Sequence, residues 1–571
     1  MENKFASLVL INANIWTANP SQTMRSQALA VRGDKIIFVG SNDELKRLGL
    51  IGVDTKVIDA AGRFVVPGFI DSHIHFLMGG QRLISVQLRD VCSRKQFVEK
   101  IASYAASIEA GEWIIGGDWD HTLWGEGESE SEGTEDLPTR FLIDRVTPHN
   151  PVWITRKEGH MYLANSLAMK LAKVDEHISN VATVEGGTIL TDANGILTGI
   201  FKDNAINLIY PHVPLPSQSE SDRALAAATK YAHSNGVTSI HHMTEPADRN
   251  RGGVACDPQV FIDSYSRGKL KIRVKCSVPI QDWEKNIIKD QNQNQNQNQD
   301  QNHMLNFGVI KGYVDGSLGS HSAAFFSPYI NSVDTPNSSN YCGDIVNSEE
   351  NLYNWIKSID SRGYQLFIHA IGDRGINTIL NIFERVIKEN GESDRRWRIE
   401  HAQHILFEDA PRFKKLGVIA SMQPYHAIDD GRWAEKILGK ERVKSSYACR
   451  TLLDAGCKLA FGSDWFVAPP NPILGIHAAV TRKIIDVGDS SDCKKIFLPE
   501  QRISVEEALY AYTIDAAYSV YEEKIKGSLE VGKLADFVIL DRDLTKIPID
   551  EIEQTKILTT VLGGEIVFDY V

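Results

Sequence analysis

Hydrophobic and polar positions fall into two textures along this 571-residue chain. Up to about residue 65 the apolar runs are short and bounded by Gly, Asn and Asp: Leu8–Trp16, Ala28–Arg32, Lys35–Val39 and Lys56–Asp59. Runs of this kind predict strands. The last stretch repeats the texture in Leu534–Leu540, Ile557–Leu562 and Glu565–Phe568, and Gly563-Gly564 predicts a tight hairpin turn. Between the two ends the pattern lengthens. Gly236–His241 follows a helical Ala224–His233, Leu366–His369 precedes Gly375–Asn390, and Leu459–Asp464 precedes Ile473–Ile485. Repeated apolar runs, each joined to a helical period, make βα units and a parallel sheet. The expected organisation is a (β/α)8 barrel over residues 66–520 and a small sheet domain built from both chain termini, 1–65 and 521–571.

One segment breaks the pattern. Asp290–Asn302 reads DQNQNQNQNQDQN and has no apolar side chain to bury, so it is expected to be a disordered Gln/Asn insert within the barrel. Gly125–Leu137, rich in Glu, Ser and Gly, is expected to be a solvated excursion. Composition is ordinary for a globular chain, 42% hydrophobic and 24% charged. A net charge of −13 argues against nucleic acid and anionic membrane as partners. The seven cysteines are scattered and form no CxxC pair, which argues against a disulfide framework or a thiolate zinc site and for a reducing compartment. The N-terminal apolar run lacks a basic leader and a cleavage site, and no stretch reaches about 20 apolar residues. A cytoplasmic location is expected.

Candidate chemistry begins in Val65-Val66-Pro67-Gly68-Phe69-Ile70-Asp71-Ser72-His73-Ile74-His75. Histidines two apart on a strand share a face. This pair sits near a strand's C-terminal end, where barrel active sites lie. Neutral imidazoles there suit Zn, Fe, Ni or Mn. His369 ends Phe367-Ile368-His369-Ala370-Ile371-Gly372-Asp373, and His401 ends Arg398-Ile399-Glu400-His401. On pattern alone each is equally a satisfied core histidine. Asp464 ends the apolar run Leu459-Ala460-Phe461-Gly462-Ser463, yet no helix follows until about Ile473, so helix capping explains it poorly. Lys311 lies inside a strand, where a charge must be paired. On pattern alone it pairs with Asp315; a deprotonated lysine there can also take up CO2 as a carbamate.

Together these residues resemble the amidohydrolase superfamily, and more narrowly its YtcJ-like branch (amidohydrolase family 3), similar to N-substituted formamide deformylases. The resemblance spans almost the whole chain. It is carried by GDKIIFVG, VVPGFIDSHIHF, DGSLGSHSAAFFSPY, LFIHAIGDRG, RIEHAQHI, FGSDWFVAPPNPILGIHAAVTR and GSLEVGKLADFVILDRD. It implies an α/β fold, a distorted (β/α)8 TIM barrel with a small β-sandwich domain formed from both chain termini. It implies the metal ligands His73, His75, Lys311, His369, His401 and Asp464, with two Zn2+ per chain and a CO2-derived carbamate on Lys311 bridging them. His321 stands where the branch has Arg. Trp119, Asp120, His160 and Asn165 match branch elements and, with His321, are carried over as substrate-side residues; no role is assigned to His241 or His242.

The implied reaction is hydrolysis of a carbon–nitrogen bond in a small non-peptide amide, such as a linear amide or N-substituted formamide. Asp464 is the catalytic residue, taking a proton from the attacking hydroxide and passing it to the leaving nitrogen. A homodimer is compatible with this reading. Two rivals are a mononuclear deaminase, which would need no Lys311 and would place a glutamate after the sixth strand, and a non-catalytic binding protein, which would tend to lose metal ligands.

Overall fold

Eight parallel strands form the central sheet of the computed structural model: β1 (Phe69–Ile74), β2 (Val237–His242), β3 (Arg273–Pro279), β4 (Leu305–Tyr313), β5 (Gln365–Ala370), β6 (Arg398–His401), β7 (Ile419–Met422) and β8 (Leu459–Phe461). The structure describes residues 4–570 except 23, 122–123, 125–136, 157–160, 178–183, 185–186, 245–257, 285–302, 331–340 and 486–494. The Asp290–Asn302 insert, nearly all of Gly125–Leu137, and His160 lie outside the described residues.

Each strand pairs with its neighbour in the chain, so the sheet curls in one direction. It is nearly closed by contacts just past the strand ends. The Asp464 amide donates to the His73 carbonyl at 2.7 Å, and the His75 amide donates to the Trp465 carbonyl at 2.9 Å. This seam sets the two histidines of β1 beside the aspartate after β8. Outer helices follow from periodicity. Asp373–Asn390 buries Ile376, Ile379, Phe383 and Val386, an i, i+3, i+7, i+10 stripe. The expected fold class is borne out.

The termini form two further sheets. Leu8–Ile11, Ala28–Arg32, Lys35–Gly40 and Lys56–Asp59 make one; Asn14–Ile15, Phe64–Pro67, Phe537–Leu540, Ile557–Leu562 and Glu565–Asp569 make the other. Phe64–Pro67 pairs antiparallel with Phe537–Leu540, so segments over 450 residues apart share one sheet. Leu10, Ile15, Leu29, Val31, Val65, Phe537, Ile539 and Val561 fill one core, each burial contributing about 1.5–3 kcal/mol where the side chain is fully enclosed. Gly563 and Gly564 turn the last hairpin with φ of +56° and +80°, the pair of positive values a two-residue type I′ turn requires.

The 66–520 span also contains a second compact unit, Leu77–Ala228 with Glu245–Val260, that the sequence pattern does not separate from the barrel. Its sheet runs Gly187–Thr191, Leu197–Asp203, Met161–Ala164, Val152–Arg156, Ile114–Trp119, Val86–Gln87 in spatial order. The last three are parallel, and Val152–Arg156 and Ile114–Trp119 are largely buried as barrel strands are; periodicity reports burial rather than which sheet a strand joins. Among the described residues no helix is long and apolar enough to cross a membrane. Cys92, Cys449 and Cys457 are free thiols.

Candidate metal centre

The site is built where β1 meets the end of β8. Asp71 accepts from the amides of His73 (3.2 Å) and Ser463 (3.0 Å) and from the Ser463 hydroxyl (2.6 Å). One carboxylate thus laces the two chain segments together, and burial raises its pKa to about 7 against those hydrogen bonds. Gly462 permits the approach: a Cβ there would stand 2.4 Å from the His73 nitrogen.

Three donors converge at this seam. His75 Nε2 is 3.2 Å and His73 Nε2 3.6 Å from Asp464 Oδ1, and one ligand atom from each residue lies within 4.8 Å of the others. The His401 ring lies tilted beside that of His73 (ring centres 4.7 Å apart), and the His369 ring meets that of His401 edge-on (ring centres 4.6 Å apart). Lys311 is 1% exposed, with Nζ 4.5 Å from the Tyr313 ring centre. Its charge is among the causes that lower the pKa of His73, His369 and His401. The structure therefore brings His73, His75 and Asp464 to one point, with the rings of His401 and His369 beside them.

The partners of the outer nitrogens fix the histidine tautomers. A carboxylate and a carbonyl only accept, so His73 Nδ1 donates to Glu400 (2.5 Å) and His369 Nε2 donates to the Gly316 carbonyl (3.0 Å). His401 Nδ1 meets Gln423 Oε1 at 2.8 Å. Each ring is left with one lone pair for the cluster, the arrangement that orients histidine ligands of a metal. Buried imidazole and carboxylate donors with outer nitrogens already engaged fit a divalent cation.

Electrostatics agree with that fit. Burial, followed by the Lys311 charge, pushes His369 down to about 3. Burial, then His369 and His73, keeps His401 well below the usual range. Neutral imidazole is the ligand form. Burial alone would raise Asp464, but the His75 hydrogen bond and the fields of His73 and His401 outweigh it and hold this carboxyl well below its usual range. Two of the six ligand candidates occupy left-handed backbone, His401 at φ +74° and Asp464 at φ +56°. Non-glycine residues held there cluster at functional sites.

Other site residues have local signals too weak to read. Glu400, wholly buried, bridges His73 and Arg398, whose guanidinium reaches both Glu400 oxygens at 2.7 and 2.8 Å. Burial would raise Glu400, yet Arg398 and His73 hold it well below the carboxylate range. Arg398 also donates to the Ser72 carbonyl, Ser421 and His241 Nδ1. His242 Nδ1 accepts from the Phe76 amide. Asp315 accepts from the amides of Ala324, Ile371 and Gly372.

The substrate-side expectations are placed as follows. Trp119, Asp120 and Asn165 belong to the second unit. Trp119 is fully buried against Phe97. Asp120 is 3.7 Å from Arg156. Asn165 caps the helix Ser166–Leu171, accepts from Val152 N and donates to Thr147 and Asn150, which accounts for its side chain locally. That unit has a cavity of about 340 Å³ lined by Met78, Arg82, Trp153, Thr155, Tyr162 and Leu215 among others, and none of these three lines it. His321 follows β4 at φ +57°, its ring 5.1 Å from that of Tyr329.

Known proteins give the same reading. A profile of the amidohydrolase family matches residues 56–568. Protein LONG AFTER FAR-RED 3 of Arabidopsis thaliana is 38% identical over 98% of this chain and 91% of its own. The putative amidohydrolase YtcJ of Bacillus subtilis is 30% identical (95% and 96%), and an N-substituted formamide deformylase of Arthrobacter pascens 25% identical (98% and 97%). A solved metal-dependent hydrolase from Pyrococcus furiosus superposes with a TM-score of 0.73 at 27% identity, over 94% of this chain and 100% of that one. With that profile across most of its length and these relatives along nearly all of it, the chain belongs to the amidohydrolase family, in its YtcJ-like branch, and is a metal-dependent hydrolase.

Proposed function

We propose that the protein hydrolyses a carbon–nitrogen bond in a small linear amide, with N-substituted formamides as the leading substrate class. The observation that carries this reading is the convergence of His73, His75 and Asp464 at the barrel seam, with His73 oriented by Glu400. The deformylase relative supports the substrate class. His73, His75, Lys311, His369, His401 and Asp464 would hold divalent zinc, two ions per chain. When bound, such ions polarise a carbonyl and acidify water to near neutrality.

The chain's own groups do the rest. Asp464, ionised and with an 11% exposed side chain, accepts the proton of the attacking water and returns one to the leaving nitrogen. His73 stays fixed because its outer nitrogen is committed to Glu400. Lys311 enters as a carbamate: an ammonium depresses its histidine neighbours, whereas an anion in that place supports a cation beside them. Glu400, engaged by both Arg398 and His73, is not placed as a deaminase acid. The proposal includes a cytoplasmic location and a small amide as the partner, without nucleic acid or membrane. Zinc-loaded protein should release amine from N-substituted formamides or acyl amides. Loaded protein that releases ammonia from aminated heterocycles but no amine from any amide would overturn the substrate class.

A further inference from the structure

Asp464 takes part in a second convergence. His401, His426 and Asp464 are all buried, and one ligand atom from each lies within 4.8 Å of the others. His426 sits in the helix Pro424–Asp430, which begins as β7 ends. Its Nε2 is buried and has no hydrogen-bond partner. A buried ring nitrogen left this way is unfavourable unless a group from outside the chain satisfies it. The start of this helix is also specific in its placement. Gln423 holds His401 Nδ1 through Oε1 at 2.8 Å and accepts the His426 amide through its carbonyl at 3.1 Å. One short segment thus fixes the tautomer of His401 and the position of His426.

We propose that His426 is a metal ligand, forming with His401 and Asp464 a second cation position that shares the Asp464 carboxylate with the His73–His75 position. The inference rests on the metal-dependent reading. It adds His426 to the ligand set implied by the resemblance, which gives the second ion to His369, His401 and Lys311. Two imidazoles and a carboxylate suit Zn2+, Mn2+, Fe2+ or Co2+ rather than Mg2+ or Ca2+.

The test uses the full chain, stripped with a chelator and titrated with Co2+. Bound metal is followed by elemental analysis and visible absorption in the wild type, His426→Gln, His426→Ala and His73→Ala. The expected result is that both His426 variants lose one bound ion, or bind it at least tenfold more weakly, with an altered cobalt spectrum. His73→Ala should weaken the other ion. Far-UV circular dichroism of the metal-free forms separates ligand loss from misfolding. If both His426 variants misfold, an anomalous difference map of cobalt-loaded wild type decides, a peak within coordination distance of a His426 nitrogen being required. Equal stoichiometry, affinity and spectrum in folded His426 variants overturn the proposal while leaving the metal-dependent reading intact. A wild type that binds no cation overturns both.

Discussion

Changing Glu400 to Gln tests how the site is held rather than what it binds. Glu400 is fully buried between Arg398, at 2.7 and 2.8 Å, and His73 Nδ1, at 2.5 Å. Glutamine keeps the shape but carries one acceptor and an NH2 group, which would face a guanidinium or imidazole donor. Removing one partner of a buried ion pair typically costs about 3–5 kcal/mol, because the remaining charge is left without compensation. Losing the outer partner of a ligand histidine typically lowers metal affinity about 10–100-fold, or roughly 1.4–2.7 kcal/mol. The expected result is therefore a large fall in the denaturation midpoint of metal-free protein and a separate loss of zinc affinity in chelator-buffered titrations. Adding Arg398→Met should cost much less than the sum of the single changes, since the orphaned charge disappears with its partner. A Glu400→Gln protein with zinc affinity within twofold of the parent, and an unchanged midpoint, would refute the reasoning.

Three further outcomes are expected. Lys311→Ala should lose most bound metal and activity, and millimolar short-chain carboxylic acids should partly restore both; normal metal content would leave Lys311 a strand lysine only. Asp464→Asn should lower kcat by about 100- to 10,000-fold with a smaller change in KM, and should retain more metal than His73→Ala; a kcat within about threefold of the parent, under ~1 kcal/mol of barrier, would remove Asp464 from proton transfer. Burial lowers His233 to about 4 from an ordinary 6.5, so the unfolded chain holds the extra proton between those values and stability is lost as pH falls through that window. The full effect is about 3 kcal/mol; His233→Gln should flatten the pH dependence of unfolding, and an identical slope would contradict the assignment.

The fold class was legible because its signals are local. Apolar runs joined to helical periods mark βα units, and Gly563-Gly564 marks its turn by backbone freedom alone. The second unit was not legible, since Ile114–Trp119 and Val152–Arg156 carry the same apolar pattern as barrel strands. In the site, His73, His75 and Asp464 stand out because each lies at or just past a strand end, while His369 and His401 are singled out from ordinary core histidines only by the family resemblance. Glu400 did not stand out: its role depends on β6 facing β1 across the barrel, which no spacing along the chain reveals. His426 had a readable signal, an imidazole four residues past the end of β7, but no partner nearby in sequence marks it. Asn165 shows the converse, a motif residue whose hydrogen bonds the local cap accounts for.

The central claim is that a divalent ion sits at the barrel seam. An anomalous difference map collected at the zinc absorption edge from crystals of zinc-loaded, active protein tests it most directly. The account predicts a peak bounded by His73 Nε2, His75 Nε2 and an Asp464 oxygen. Active protein whose map is featureless at that seam, or whose zinc lies only elsewhere, would contradict it.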